Sequence, residues 1–358
     1  MQVAESSKER KINMGTKLGT GLSKGKSGAA AAKEAVIQAK GGLGGGRVGL
    51  SVVYSSSEYD HRAVVDVVRE ATDNAPLIGA STAGEFTEER VERGSVAVGL
   101  LSSDDIKVFT ALAEGVKEDP EAAIRAVIAK LPHNVDGYPY LTAILLIDGL
   151  SGVGEEVTLL ASYLFGTELK IVGGMASDDF KMEKTFIFAD DKVCTNAVGV
   201  CLLASKMPLF TGVKHGHSIL SGALKATRTE GNVLYEIDNR PAWEIWKEET
   251  AEAARSRGID VEKLKKPQEI ALFFANYILG LATEKEGEYK IRWPSGVNED
   301  GSLNFTCGIA EGSVFRIMDG SNLEDQINAA EEAARIARQS AENAGYSDFA
   351  GILVFECA

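Results

Sequence analysis

Cysteine is scarce: the chain has four in 358 residues (Cys194, Cys201, Cys307 and Cys357), and none falls in a C-x-x-C spacing. That is too few and too scattered for a disulfide framework, and it offers no thiolate zinc or redox site. The four read as reduced thiols packed as small hydrophobes. Positive charge is also short. Lys and Arg total 38 against 52 Asp and Glu, a net charge of −14, whereas phosphate neutralisation needs a basic face. Long apolar runs are missing too. The longest uncharged stretch, Ile270 to Thr283, has 14 residues, against the roughly 18–20 needed to span a bilayer. No apolar segment follows the charged start MQVAESSKERKINMG, so there is no signal-peptide pattern. These absences predict a soluble, acidic, cytoplasmic protein with no nucleic-acid and no membrane partner. Its length suffices for two domains.

What the sequence does have is repetition. A helix pattern followed by a short apolar strand occurs three times: 29–40 then 48–54, 120–130 then 141–147, and 325–341 then 349–355. The first two copies continue alike, each through a second helix to a glycine-rich strand end, PLIGASTAGEF (76–86) and KIVGGMASDDF (170–180). SVAVGLLSS (95–103) then answers AVGVCLLAS (197–205), and FTALAEG (109–115) answers FTGVKHG (210–216). The offsets are 94 residues from Gly79 to Gly173, then 102 and 101. Four matches in order at near-constant spacing indicate an internal duplication of about one hundred residues, with repeats near 48–115 and 141–216. Beyond it, Leu224 to Ile237 reads as a hairpin turning at Glu230-Gly231-Asn232. Asp238-Asn239 reads as the cap of a helix with Pro241 in its first turn. Strands are expected at 270–281, 289–293, 304–309 and 313–318. The fold class is therefore α/β (α+β): duplicated αβ units with mixed or antiparallel sheets, followed by a C-terminal αβ domain. Residues 1–28 show no periodicity, and 1–20 are expected to form a flexible tail.

Candidate binding residues cluster at the two glycine-rich strand ends. Gly79, Gly173 and Gly174 would let backbone approach a ligand closely, while Ser81, Thr82 and Ser177 supply donors. Glu85, Asp178 and Asp179 can accept from an ammonium, and Arg240 can hold a carboxylate bidentately. Tight turns with capping side chains explain the same residues equally well, and Arg240 reads equally as a structural ion pair. His215 and His217 stand at i and i+2, a spacing that puts both rings on one face of an extended segment. They read as strand-end histidines or, alternatively, as heme ligands; zinc would want further ligands that are not nearby. GLSKGKSG (21–28) fails the phosphate-loop pattern because Thr20 replaces the first glycine and no strand pattern precedes it. It reads as a solvated linker. Trp243 and Trp246, three apart, read as core. No Ser–His–Asp order or nucleophile elbow can be assembled.

At PLIGASTAGEF followed by SVAVGLL, and at VLYEIDNRPAWEIWKEE followed by FTCGIAEGSVFRIMDG, the sequence resembles the FIST family of intracellular signal-transduction sensory domains. The similarity runs from about Gly21 onward. It implies a FIST N-terminal domain over 21–238 and a FIST C-terminal domain over 239–358. The latter is expected to be incomplete, since family members continue beyond a cysteine matching Cys357. It also implies a small-ligand sensor without chemistry of its own, amino acids as the ligand class, and a separate output protein of kinase, cyclase or chemoreceptor type. Some members bind heme and report nitric oxide, which makes heme through His215 or His217 the cofactor alternative. An enzyme using the duplicated loops is the other.

Overall fold

A computed structural model describes residues 15–166, 169–179, 181–284 and 287–356. The first αβ unit runs β1 (Lys17–Ser23), α1 (Gly28–Leu43), β2 (Leu50–Ser56), α2 (His61–Ala71), β3 (Leu77–Thr82), a small hairpin β4 (Glu85–Phe86) and β5 (Val91–Glu92), then β6 (Val96–Ser102). The second runs β7 (Ile106–Glu114), α3 (Pro120–Ile128), β8 (Tyr140–Ile147), α4 (Gly154–Phe165), β9 (Lys170–Met175), a hairpin β10 (Ile187–Ala189) and β11 (Lys192–Cys194), then β12 (Ala197–Ser205). Their sheets have the same order: β1-β6-β2-β3 in one and β7-β12-β8-β9 in the other, with β10-β11 added to the first at β3. In each, the two strands flanking the second helix pair in parallel and the last strand returns antiparallel. Val53 faces both Gly79 and Val98, and Leu145 faces both Gly173 and Val200. The sequence duplication is thus a structural one.

Side-chain alternation builds four layers. On β2 and β3, Leu50, Val52, Ile78 and Ala80 face Ile144, Leu146 and Cys201 of the opposite sheet. Val53 and Leu77 point the other way, onto α1 and α2. On β8, Ala143, Leu145 and Ile147 face α3 and α4. With both faces covered, these strands read as continuous apolar runs rather than as alternation. Three of the four helices, α1, α2 and α3, are capped by their own sequence. Ser27 accepts from the Ala30 N–H, Asp60 from Arg62 and Ala63, and Asp119 from Ala122 beside Pro120 at the first turn.

The structure corrects the N-terminal reading. Residues 1–14 lie outside the described residues, but Lys17–Ser23 is a strand, so the flexible tail expected over 1–20 is overturned at 17–20 and the solvated linker expected over 21–28 at 21–23. Gly19 and Gly21 disguise it. A β-carbon at either would sit 2.0 Å from the Ala39 or Ala35 carbonyl oxygen of α1, so glycine is required there by helix packing rather than by mobility.

The C-terminal part has a nine-stranded sheet of its own, built from β13 (Ser218–Ile219), β14 (Leu224–Glu230), β15 (Val233–Ile237), β16 (Arg240–Pro241), β17 (Tyr277–Ala282), β18 (Tyr289–Arg292), β19 (Pro294–Val297), β20 (Leu303–Phe305) and β21 (Val314–Asp319). It packs on α5 (Ala242–Ser256) and α6 (Pro267–Asn276) around Trp246, Phe273, Phe274 and Tyr277. The expected hairpin forms and belongs to this sheet. The strand expected over 270–281 is half helix, because Pro267 and the Glu269 capping contact to Lys266 start α6. Asp238 and Asn239 do not cap α5; both have positive φ and turn the chain into β16.

After this sheet, α7 (Leu323–Asn343) leads to residues 349–356, which belong to no helix or strand. Gly212 lies against α7, its would-be β-carbon 1.9 Å from the Ala333 oxygen, as Gly19 lies against α1. Segment 210–216 therefore lies on α7 as β1 lies on α1, with the C-terminal sheet between the two in sequence. Phe355 meets Tyr54 edge-on at 6.2 Å, while Phe349, Ile352, Leu353 and Val354 are exposed.

The paired glycines give a test. A β-carbon at Gly79 would lie 2.0 Å from the Val53 oxygen, and one at Gly173 1.9 Å from the Leu145 oxygen, where φ is also +149°. Each Gly→Ala change is expected to cost about 1–3 kcal/mol through forced strand displacement, read as a lowered urea midpoint. Unchanged midpoints would show that the two glycines do not hold the strands together.

Candidate functional site

The two glycine-rich ends meet. The Ser177 N–H donates to the Ser81 carbonyl at 2.9 Å, Ser81 N–H to the Phe186 carbonyl at 2.9 Å, and Phe186 N–H to Ser81 Oγ at 2.9 Å. The segment after β9 thus crosses from the second unit onto the carboxyl ends of β2 and β3. Such strand ends are where open α/β sheets bind ligands.

Adjacent acids on this segment do different things. Asp178 is buried, and its carboxylate accepts from the Met182, Glu183 and Lys184 N–H groups at 3.0, 2.6 and 3.0 Å. It holds its own loop. Asp179, at φ +58°, turns the other way. Its Oδ2 accepts from Ser56 Oγ at 2.9 Å, Ser57 N–H at 3.0 Å and Ser57 Oγ at 2.6 Å. Glu85 is 2% exposed and accepts from Ser95 N–H, Ser95 Oγ and Thr82 Oγ1. Burial raises its pKa above the ordinary value, and these hydrogen bonds oppose the rise.

A cavity of about 350 Å³ opens here, lined by Lys24, Glu58, Ala83, Arg93, Gly94 and Asp179. Of the residues expected from sequence, Asp179 lines it. Ser81, Thr82, Glu85, Ser177 and Asp178 lie in the hydrogen-bonded framework around it, and Gly79 and Gly173 are packing glycines within the strands. Gly174 is in ordinary contact with Phe355, 3.8 Å from its would-be β-carbon. Arg240 is not brought to the cleft. It sits on β16 of the C-terminal sheet, its guanidinium on Glu248 at 2.8 Å and near Glu244 at 3.9 Å. Arg93 supplies the guanidinium instead, with no ion pair or hydrogen bond among the described residues. Lys24, Glu58 and Arg93 escaped the sequence reading. The available signal was Arg93-Gly94 just before the SVAVGLL strand, where Gly94 has φ +68° and its carbonyl accepts from Tyr59 Oη at 2.9 Å.

The histidine pair lies on segment 210–217 and is not in a strand. His215 Nδ1 accepts the His217 N–H at 3.3 Å. The His217 ring presses on Gly320, its Nε2 2.7 Å from where a β-carbon would stand. Its Nδ1 is buried without a partner, and the His215 ring centroid lies 5.7 Å away. The space beside His217 thus holds another imidazole and glycine backbone rather than a slot for a porphyrin. The pair does not fit heme. No group of three or more His, Cys, Asp or Glu among the described residues is placed to hold a metal. Cys201 is buried in the inter-sheet layer, where burial pushes its thiol pKa up; Cys357 lies outside the described residues.

Fold and cleft together define a duplicated αβ module with a charged pocket at its strand ends. The chain belongs to the FIST family: the FIST N domain matches residues 49–240 and the FIST C domain residues 245–358. FIST domains are sensory modules of signal transduction and are not catalysts. An uncharacterized protein of Methanocaldococcus jannaschii is 25% identical over 281 residues, covering 75% of this chain and 53% of that protein. The chain spans about half the length of that relative. Among solved structures, the cyanuric acid hydrolase of A. caulinodans is similar at a TM-score of 0.30 and 10% identity, over 55% of this chain and 72% of that one. No helix among the described residues is long and apolar enough to cross a membrane.

One buried side chain next to the cleft gives a pH test. His61, the first residue of α2, is 4% exposed, with neither ring nitrogen partnered among the described residues and its ring 4.6 Å from Phe186 and 5.2 Å from Phe188. Burial lowers its pKa from 6.5 to about 4 despite the nearby Asp60 and Asp179 carboxylates. The folded state therefore prefers neutral His61, so its stability contribution is intact above pH 6.5 and is lost as pH falls toward 4. The loss is on the order of 3 kcal/mol. His61→Phe is expected to flatten denaturation midpoints between pH 7 and pH 4.5; an unaltered acid slope would refute this.

Proposed function

We propose that the cleft binds a free amino acid or a similar zwitterion, and that the protein is a cytoplasmic sensor reporting its occupancy to a separate output protein of kinase, cyclase or chemoreceptor type. The observation that carries this reading is the pairing of opposite, available charges across one cavity. Arg93 has no partner among the described residues, and Asp179 uses only Oδ2, so Oδ1 is open to a donor. The ligand carboxylate meets Arg93, where a guanidinium fork matches it in two hydrogen bonds, with Lys24 beside it. The ligand ammonium meets Asp179 Oδ1 and Glu58. With about 30 Å³ per water-sized group, a cavity of about 350 Å³ holds a ligand of about twelve non-hydrogen atoms, within the range of the standard amino acids.

The test is a thermal-shift screen of the twenty L-amino acids one at a time, followed by calorimetry of those that raise Tm. At least one is expected to bind. Arg93→Ala and Asp179→Asn should each weaken it about tenfold to a hundredfold, the value of a charge-assisted hydrogen bond of roughly 1.5–3 kcal/mol. A screen in which no amino acid shifts Tm, or variants that bind as well as wild type, would overturn the proposal.

A further inference from the structure

The duplication predicts a second place for the same chemistry. Through the Val53–Leu145 correspondence, the β2 end at Ser56-Ser57 matches Asp148-Gly149 at the end of β8. Gly94 likewise matches Asn196, and both have positive φ, +68° and +48°. At this equivalent position in the second unit lies another cavity, of about 210 Å³. Its charged lining is Lys117, Lys184, Glu183 and Asp148, joined by Thr195 and Asn196. The first cleft has two cations and two carboxylates on its wall, and so does the second, though no charged residue sits at a matching sequence position. The composition was rebuilt from different residues.

We propose that this second cleft is a separate binding site for a zwitterionic amino acid with a short side chain. The inference rests on the amino-acid reading of the first cleft and extends it to a smaller ligand. Lys117 and Lys184 form no salt bridge among the described residues. Lys184 Nζ is set 5.1 Å from the Phe186 ring centroid, which steadies it at the rim. They face the ligand carboxylate. The ammonium is met by Glu183, whose carboxylate has no partner among the described residues, and by Asp148. Asp148 is 5% exposed and accepts from Thr185 Oγ1 at 2.7 Å, Leu150 N–H at 2.9 Å and Asn196 N–H at 2.5 Å. An ionised carboxylate has about four lone-pair sites, so one acceptor direction remains. At about 30 Å³ per water-sized group, a cavity of about 210 Å³ admits about seven non-hydrogen atoms. Serine has that size. Asp179 lines the first cleft while Glu183, Lys184 and Thr185, a few residues on, line the second.

L-serine is the probe. Calorimetric titrations are made on the wild-type protein, on Arg93→Ala, and on a lysine variant that adds Lys117→Ala/Lys184→Ala to Arg93→Ala, so that the first cleft is weakened in both, with L-tryptophan as the oversized control. Both lysines are exposed, so their removal leaves the core untouched, and circular dichroism checks this. The expected result is serine binding that survives Arg93→Ala and weakens at least tenfold in the lysine variant, with no lysine-dependent tryptophan binding. Serine affinity unchanged in the lysine variant, or no serine binding to wild type, overturns the second site. Failure of the first cleft reads differently: there, Arg93→Ala leaves every amino acid's affinity unchanged while the lysine variant still loses serine.

Discussion

The apolar layer between the two sheets is the contact on which the rest depends. Ile78, Ala80, Ile144, Leu146, Ile187 and Cys201 meet there with almost no solvent access. Because side chains alternate along a strand, a slip of one residue would exchange this layer for the helix-facing set. The layer therefore fixes register in both sheets at once. Fixed register is what brings the carboxyl ends of β2 and β3 beside the segment leaving β9, so that Ser177 can donate to Ser81. The hairpin β10-β11 reinforces the arrangement by leaving its own unit and extending the other sheet at β3. The charged clefts are thus set by a hydrophobic constraint some residues away from any charge.

Much of this fold was legible in the sequence because the duplication is written twice. A strand end that is ambiguous alone becomes informative when PLIGAS and KIVGGM stand at the same point of two ordered series. What stayed hidden was hidden by tertiary requirements. Lys17–Ser23 contains two glycines, which lower its apparent strand character, yet they are there because α1 lies directly on the strand. At Pro267-Gln268-Glu269 the helix start is local and visible, but the uncharged run behind it passes into β17 with only Asn276 between the apolar residues on either side, too slight a signal to mark the change at Asn276–Tyr277.

The site was legible in kind more than in membership. Neighbouring acids Asp178 and Asp179 look alike in sequence, but backbone conformation separates them. The positive φ at Asp179 reverses its direction, leaving Asp178 to gather three amides of its own loop while Asp179 reaches Ser56 and Ser57 across the unit boundary. No spacing rule distinguishes those outcomes. Arg240 had the right chemistry in the wrong place, since its guanidinium is already matched by Glu248 and Glu244 on the adjoining helix. Arg93 has the same chemistry without a partner among the described residues. For a binding residue, the absence of a satisfying neighbour carries more information than residue type, and only the folded chain displays it.

The C-terminal sheet is tied to the cleft-bearing part in two independent ways. Covalently, it is set between segment 210–216 and α7, which pack on each other as β1 and α1 do, so both ends of the sheet are anchored on one repeated element. Ionically, Arg292 of β18, only 8% exposed, pairs with Glu155 in the first turn of α4. A buried guanidinium left without its carboxylate is strongly unfavourable, so Arg292 and Glu155 must move together. The turn that leads into α4 contains Leu150 and Ser151, which border the second cavity. One charge pair thus joins β18 to the helix whose leading turn borders the second cavity, so the C-terminal sheet is fixed to the cleft-bearing part by electrostatics as well as by chain connectivity.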